Sequence, residues 1–347
     1  MSDLRNVALE AAIDRDPYDS RSYLVYGDWL QEQGDPRGEL IAMQIAGEGD
    51  PKIAVAARAF LQRHGERFIG GLAPDSWVWR DGFIRYAALG TYGPANHDAL
   101  PALLDHPSAR FLPELAIGFS DYGLQPAIDT LAERLRPALR VLELGAGDPV
   151  EHAMLHDIGD LERLWPVVPR LSRLTICGQN LTLGELDLPA LSRLELWAFS
   201  LSAENVRSIA QAHWPELAAL SIRCRRAAQP ILSEFRTLLQ NTQLPKLVRL
   251  GLICSDFVDE LVDDSFAALP LLRQLRSLDL SHGHMTDAGA ERLARHADAF
   301  AHLEVLDVSQ NRLTAAGVHA VAGIAKRVIS GNQNDADDAQ IDDLYDY

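Results

Sequence analysis

Residues 275–318 read LRSLDLSHGHMTDAGAERLARHADAFAHLEVLDVSQNRLTAAGV, and the stretch repeats itself. Laying Leu278-Asp279-Leu280-Ser281 over Leu306-Asp307-Val308-Ser309 also brings Leu275 onto Leu303, Met285 onto Leu313, Thr286 onto Thr314 and Gly289 onto Gly317. The offset is always 28 residues (306 − 278). A fixed period of this size marks stacked supersecondary units. In each repeat, Leu-x-x-Leu-x-Leu alternates apolar positions and so predicts a short strand with one buried face. Asn311 stands where the chain must bend, and its amide can bond backbone groups that the bend leaves unpaired. Thr286 and Thr314 are N-cap residues for the helices that follow. One such repeat cannot bury its own apolar edge, whereas stacked repeats share a continuous core.

Working upstream, the same pattern predicts strands centred on Ala87, Leu115, Leu142, Leu174, Leu194, Leu220, Leu250, Leu278 and Leu306. The steps between them are 28, 27, 32, 20, 26, 30, 28 and 28 residues. The step of 20 has no room for a full helix, so a short loop or 3₁₀ turn is expected over 182–188. Residues 73–90 read as a leading cap, with Trp77, Trp79 and Phe83 covering the first repeat's exposed apolar end. Val328-Ile329-Ser330-Gly331-Asn332 reads as a truncated last strand. After it, Asp335, Asp337, Asp338, Asp342, Asp343 and Asp346 form an acidic tail without apolar periodicity, read as a disordered, solubilising end. The expected organisation is a helical module over 1–72, the repeat array with its cap over 73–331, and the tail over 332–347.

The strand, asparagine turn and capped helix resemble the ribonuclease-inhibitor type of leucine-rich repeat. That resemblance implies an α/β solenoid shaped as a horseshoe, with parallel strands on the concave face and helices outside. The first 72 residues do not share the repeat. Ser2 is a candidate cap for a first helix carrying Leu4, Val7, Ala8 and Ala11. A second helix begins near Asp19 with Tyr23, Tyr26, Trp29 and Leu30 on one face, and Gly34 ends it. Asp35-Pro36 opens a third helix, with Asp as N-cap and Pro at N1. A fourth runs to about His64. The run LVYGDWLQEQGDPRGELI, Leu24 to Ile41, resembles the repeat-companion domain of myxobacterial and planctomycete proteins, a bacterial module that stands ahead of repeat arrays. Tyr26, Asp28, Trp29, Leu30, Glu32, Gly34 and Asp35 carry the likeness, and Gly27 replaces an alanine. A glycine inside a helix costs about 1 kcal/mol relative to alanine, so Gly27 is expected to weaken the module. This resemblance implies no chemistry. Trp29 is read as a packing anchor and Asp28 as a partner for a turn or an arginine.

Composition narrows the function. Lys+Arg is 32 against Asp+Glu 49, a formal net charge of −17, which argues against nucleic acid or an anionic membrane as the main partner. No apolar run approaches the ~18–20 residues that span a bilayer. The N-terminus lacks a basic stretch followed by an apolar core, so a cytoplasmic location is expected. Cys177, Cys224 and Cys254 contain no Cys-x-x-Cys and read as reduced thiols.

Three motifs tempt a chemical reading. Val141-Leu142-Glu143-Leu144-Gly145-Ala146-Gly147-Asp148 resembles the glycine-rich turn of Rossmann-like methyltransferases, which would bind S-adenosylmethionine at Gly145 and Gly147. The turn has Pro149 where a third glycine belongs, no acidic residue closes the following strand, and Leu142 and Leu144 keep the repeat's phase. His282-x-His284 with Asp279 gives three candidate metal ligands, but no fourth is apparent. The cysteines fall at or just after strand ends and read as small core or turn residues. No nucleophile–base set assembles from spacing, so neither a catalytic residue, a cofactor nor a metal is assigned.

The leucine-rich-repeat resemblance implies that the strand positions between the leucines point into the concavity. They include Glu114, Glu143, Arg173, Thr175, Arg193, Glu195, Trp197, Ser221, Arg223, Arg249, Ser277, Asp279, Ser281, Asp307 and Ser309. Arg173, Arg193, Arg223 and Arg249 form an expected basic ladder with Trp197 among them, and Asp279 and Asp307 mark an acidic end. Arginine and tryptophan dominate interface energetics. Arg–Glu pairing, for example Arg193 or Arg223 with Glu195, is the competing use of these charges. The reading is a non-enzymatic scaffold that binds a protein or peptide on the concave face through Arg173, Arg193, Glu195, Trp197, Arg223, Arg249, Asp279 and Asp307. An acidic patch on the partner is the natural complement, with the chain's own tail as a competitor. A methyltransferase and a purely structural module of a larger assembly are the alternatives.

Overall fold

The computed structural model describes residues 4–72, 76–90, 99–119, 123–145, 156–227, 231–241, 243–253 and 256–334, without the side chains of 225–227. The chain is an α/β fold, a long and mostly parallel sheet preceded by N-terminal helices. It divides into two compact units, Met1–Ser172 and Arg173–Tyr347.

The first unit opens with helices α1 (Val7–Arg15), α2 (Ser20–Glu32), α3 (Pro36–Ala46) and α4 (Pro51–Arg63). Asp19, Asp35 and Asp50 cap the last three through their side chains, and Gly34 follows α2 at φ +74°. The first helix starts later than the expected Ser2 cap. Asn6 is its N-cap, accepting from Leu9 N at 3.3 Å, while Glu10 reaches back to the Asn6 N–H at 3.0 Å. Ser2 lies outside the described residues.

Gly27 and Gly38 let α2 and α3 cross closely. A methyl on Gly38 would overlap the Gly27 carbonyl and the Gln31 backbone, and one on Gly27 would lie 3.2 Å from Ile41 Cγ2. The helix-propensity cost of Gly27 is therefore set against contact that a larger residue would crowd. Trp29 stacks on Tyr26 with centroids 5.6 Å apart. Asp28 is exposed and bonds to no turn or arginine among the described residues.

The leading cap is an antiparallel hairpin, β1 (Ser76–Arg80) and β2 (Phe83–Leu89), a pairing the sequence reading did not anticipate. Asp81 (φ +52°) and Gly82 (φ +76°) make its turn. Two successive left-handed residues give the twist that a two-residue hairpin needs. Trp79 packs with Leu40, Phe60 and Phe68, and Phe83 joins Ile13, Tyr23, Tyr26, Leu30, Ile41, Phe111 and Ala138 in one buried cluster. The cap thus buries its aromatics against the helices as well as the first repeats. Strands β3 (Glu114–Ile117) and β4 (Val141–Leu144) continue in parallel, with Ala87 opposite Leu115 and Leu115 opposite Leu142. A short β5 (Asp157–Asp160) comes next in the chain.

Buried charges tie the helices to these strands. Glu10, 3% exposed, accepts from Arg5, Arg110 and the Tyr26 hydroxyl. Arg37 donates to Gly82 O at 2.6 Å and Ser108 Oγ at 2.9 Å, with its guanidinium over Phe83. Arg140 and Arg170 donate to Asp14 O, and Arg140 also to Arg15 O, at 2.7–3.0 Å. Cations on the last carbonyls of a helix satisfy groups that have no partner inside it.

In the second unit, β6 (Arg173–Thr182), β7 (Arg193–Leu201), β8 (Ala219–Ala227), β9 (Arg249–Ile253), β10 (Ser277–Asp279), β11 (Val305–Asp307) and β12 (Val328–Ile329) pair in parallel and in chain order. Leu174, Leu194, Leu220, Leu250, Leu278 and Leu306 face one another across the register, as the spacing predicts. The 20-residue step is filled by a strand running to Thr182 and then by irregular chain, with neither an α-helix nor a 3₁₀ turn over 183–190. Asn205 bridges the bend from the next helix, donating to Leu181 O and accepting from Leu183 N, each at 2.9 Å.

The threonine-capped repeats interlock. Asn311, fully buried, accepts from Met285 N at 3.0 Å and donates to Leu280 O at 2.8 Å and Val308 O at 3.1 Å. Gln333 repeats the device one step on, accepting from Asn311 N and donating to Val308 O, each at 3.0 Å. Thr286 caps the helix Asp287–Arg295 and Thr314 the helix Ala315–Val321. Each cap is itself held from the preceding repeat. Asp259 accepts from Thr286 N (3.0 Å) and Oγ1 (2.6 Å), and Asp287 from Thr314 N (2.9 Å) and Oγ1 (2.6 Å). A methyl on Gly289 or Gly317 would overlap the Oδ1 of that aspartate. The Thr-x-x-Gly spacing thus encodes a cap and the space for the carboxylate that holds it.

Candidate functional site

Alternate residues of β6–β11 turn away from the leucine core, and the register arranges them in rows. One row runs Arg173, Arg193, Ala219, Arg249 and Ser277. The next runs Thr175, Glu195, Ser221, Gly251, Asp279 and Asp307. The third runs Cys177, Trp197, Arg223 and Ile253. The four arginines therefore do not share one ladder. Three line the row nearest the strand starts, over ~14 Å at the ~4.8 Å strand spacing. Arg223 lies four positions further along β8, beside Trp197.

Arg223 is the centre of the third row. Its guanidinium lies 5.8 Å from the Trp197 ring centroid. The expected pairing of Arg193 with Glu195 is present at 3.3 Å, along one strand, and 44% exposure of the arginine side chain leaves it a weak contact. Arg173, Arg223 and Arg249 form no ion pair among the described residues. Burial pushes the Cys177 thiol up to about 11, against the pull of Arg223, so Cys177 is an inert neutral thiol beside the tryptophan. Cys224 is also buried, and Cys254 lies outside the described residues.

His282 joins this site from the following repeats. It takes a left-handed backbone (φ +57°), as does its counterpart Gln310 (φ +52°), and their side-chain nitrogens are 3.1 Å apart. Burial lowers the His282 pKa and Arg223 lowers it further, against Asp279 and Asp307. His282 is therefore a neutral imidazole at pH 7. Its occupation of one repeat slot with Gln310 is visible in the sequence, 28 residues apart. His284 is engaged elsewhere, by Asp256 at 3.3 Å and Arg312 at 3.1 Å. The two histidines thus serve different neighbours, and the described residues contain no group of three metal-ligating side chains. Asp279 accepts from Ser281 N and Asp307 from Ser309 N, each at 2.9 Å, and both remain partly exposed at the acidic end.

Gly145 closes β4 at φ +83° and donates to Ile117 O at 2.8 Å. Gly147 and residues 146–155 lie outside the described residues, as does the acidic segment from 335 onward. β2, β3 and β4 run in chain order, without the reversal that opens a nucleotide crevice in a doubly wound sheet. No described helix is long and apolar enough to cross a membrane.

The parallel sheet grows in chain order, and its last 28-residue steps carry an asparagine-held turn and a threonine-capped helix. The leucine-rich-repeat family model matches residues 272–294 and 301–322, the two repeats in which that machinery is complete. A Bacteroides fragilis protein of known crystal structure shares the fold, with a TM-score of 0.62 and 20% identity over 82% of this chain and 84% of that one. An internalin from Listeria monocytogenes aligns over 72% of this chain and 73% of its own at 18% identity, with a TM-score of 0.34. No curated protein matches the chain.

Proposed function

We propose that this chain is a non-enzymatic interaction scaffold of the ribonuclease-inhibitor type, acting in the cytoplasm. It binds a protein or peptide on the solvent face of its second unit through Arg173, Arg193, Glu195, Trp197, Arg223, Arg249, Asp279 and Asp307. The observation that carries the reading is that Arg173, Arg223 and Arg249 have no counter-ion among the described residues in a chain of net charge −17. A guanidinium held beside an accessible tryptophan, with further arginines in a neighbouring row, suits an acidic partner that also offers an apolar or aromatic side chain. Asp279 and Asp307 orient that partner by repelling its acidic end.

The test is a pull-down from native-cell extract with wild type and with Trp197→Ala/Arg223→Glu. Thermal unfolding serves to show that both are folded. The double variant is expected to lose partners that wild type retains. An identical set of captured proteins removes this face from consideration.

A further inference from the structure

The first unit contains a small recess with leucine walls. Leu104 comes from the helix Ala99–Asp105, Leu131 from the helix Gln125–Ala132, Leu115 from β3, and Leu112 and Leu139 from the chain just ahead of β3 and β4. Leu135 also lines it and is 60% exposed, an apolar side chain left in water. The wall from 135 to 139 is irregular for a local reason. Pro137 lacks an N–H and disfavours helical backbone at Arg136, so the helix that ends at Ala132 cannot resume there. Arg136 N donates instead to Val167 O at 2.6 Å, and Leu139 N to Arg136 O at 3.2 Å.

Two arginines share this lining and are used differently. Arg110 is engaged, donating to Glu10, the Tyr26 hydroxyl and Leu4 O. Arg136 is half-buried, its side chain forms no hydrogen bond or ion pair among the described residues, and its Nε is shut off from water without a partner. The carboxylate of Asp105 is taken by Arg134 at 2.5 Å. Burial lowers the Arg136 pKa and Arg134 lowers it further, against Asp105 and Glu133, yet a guanidinium keeps its charge in a protein. A buried charged donor left without an acceptor is costly, and in a native structure it calls for an explanation.

The chemistry of a ligand follows from these features. Nε and one Nη of a guanidinium match the two oxygens of a carboxylate. Leucine walls suit an aliphatic tail. With one unpaired cation, and Asp105 and Glu133 close by, a single negative charge is balanced and a dianion is not. The recess leaves about 60 Å³ open to atom centres, where one water needs ~10–15 Å³, so it takes roughly four to six non-hydrogen atoms.

We infer that this recess binds a short aliphatic monocarboxylate of about four carbons, with its carboxylate on Arg136 and its alkyl chain against Leu112, Leu131 and Leu139.

NMR titration of the full chain with butyrate tests this, with acetate and butyramide as comparisons. Butyrate is expected to bind saturably and about tenfold more tightly than acetate, because its additional methylenes are buried. It is expected to bind at least about tenfold more tightly than butyramide, which keeps the shape and loses the charge. Arg136→Gln is expected to weaken butyrate binding by about tenfold or more. The comparison of the three ligands on wild type decides the matter even where the variant fails to fold. Absence of saturable butyrate binding, equal binding of acetate or butyramide, or binding indifferent to Arg136→Gln in a folded variant overturns the inference.

Discussion

The seam between the N-terminal helices and the first strands, and the joint between the last two full repeats, solve the same problem with different chemistry. At the seam, Glu10, Arg37, Arg85, Asp81 and Arg140 are each less than a tenth exposed, so the contact is specified by buried charges. At the repeat joint, Leu278 and Leu306 stack with no exposure, and the buried polar work falls to one neutral amide, Asn311. A repeat that copies itself meets a neighbour like itself, so an apolar ridge and a side-chain amide can be reused from joint to joint. Helices joining a sheet they do not resemble have no such copy. Ion pairs of defined geometry fix a unique docking there, at a desolvation cost that hydrophobic packing avoids.

Breaking the seam is expected to give the largest effect. Glu10→Ala leaves Arg110, only 12% exposed, facing an empty site, and should destabilise the first unit by about 3–4 kcal/mol in urea unfolding. Burial alone would raise the Glu10 carboxyl, but hydrogen bonding from Arg5 and the charge of Arg110 hold it below its ordinary value. A depressed folded pKa means that this stabilisation is present above the unfolded pKa and is lost as pH falls through the folded one. Wild type should therefore approach the variant's stability in acid, and a constant gap across pH would remove Glu10's charge from the account. Asn311→Leu attacks the other joint. It strands Met285 N and the carbonyls of Leu280 and Val308, and about 3 kcal/mol is expected. Hydrogen exchange should show the loss confined to the neighbouring repeats, while loss of protection throughout the chain would make the joint a global keystone.

These two regions also differ in how far they could be read from residues alone. Strand registers from Leu174 to Leu306 followed from leucine spacing, because a period-2 strand slipped by one residue would turn every leucine outward. The seam was opaque. Arg85 and Arg140 lie in strand or pre-strand positions that look like any solvent-facing slot, and their carbonyl partners, Pro17 and Asp14, carry no sequence signal. The hairpin before β2 was legible in principle, since Asp81-Gly82 between alternating hydrophobics is a strong turn signal; its aromatics, read as a cover for the first repeat, hid it. At the site, the leucine phase identified which residues leave the core. The same spacing already separates Arg223, three residues after Leu220, from Arg173, Arg193 and Arg249, each one residue before its central leucine, and the register agrees.

A milder break sharpens the contrast at the repeats. Gly317→Ala crowds Asp287 Oδ1, which holds the cap of the following helix. The carboxylate can swing away, at the expense of its bonds to Thr314, so about 1–2 kcal/mol is expected. Those bonds depress the Asp287 pKa, through the Thr314 hydroxyl first and its backbone N–H next. Titration by NMR should return Asp287 toward its ordinary value in the variant. An unmoved titration would mean that the Asp–Thr contact tolerates the methyl.

The smallest effect expected is at Asp81, and its sign decides whether the seam's charges stabilise or only specify. Asp81 has no exposed surface, and its Oδ1 finds no hydrogen-bond partner among the described residues. Burial raises its pKa, and Arg85, Arg80 and Ser20 do not fully offset that. A raised folded pKa gives stability that is fully present below the unfolded pKa and is lost as pH rises through the folded one. Ionised Asp81 is thus a liability at neutral pH. Asparagine keeps the left-handed turn that Asp81 makes with Gly82, and carries no charge. Asp81→Asn should therefore stabilise the chain by up to about 1 kcal/mol at pH 7, with the gain fading in acid. Paired urea titrations between about pH 4 and pH 8 check it. If the variant is instead weaker at pH 7, the pairing with Arg85 outweighs desolvation, and the seam is held together by its charges rather than merely aligned by them.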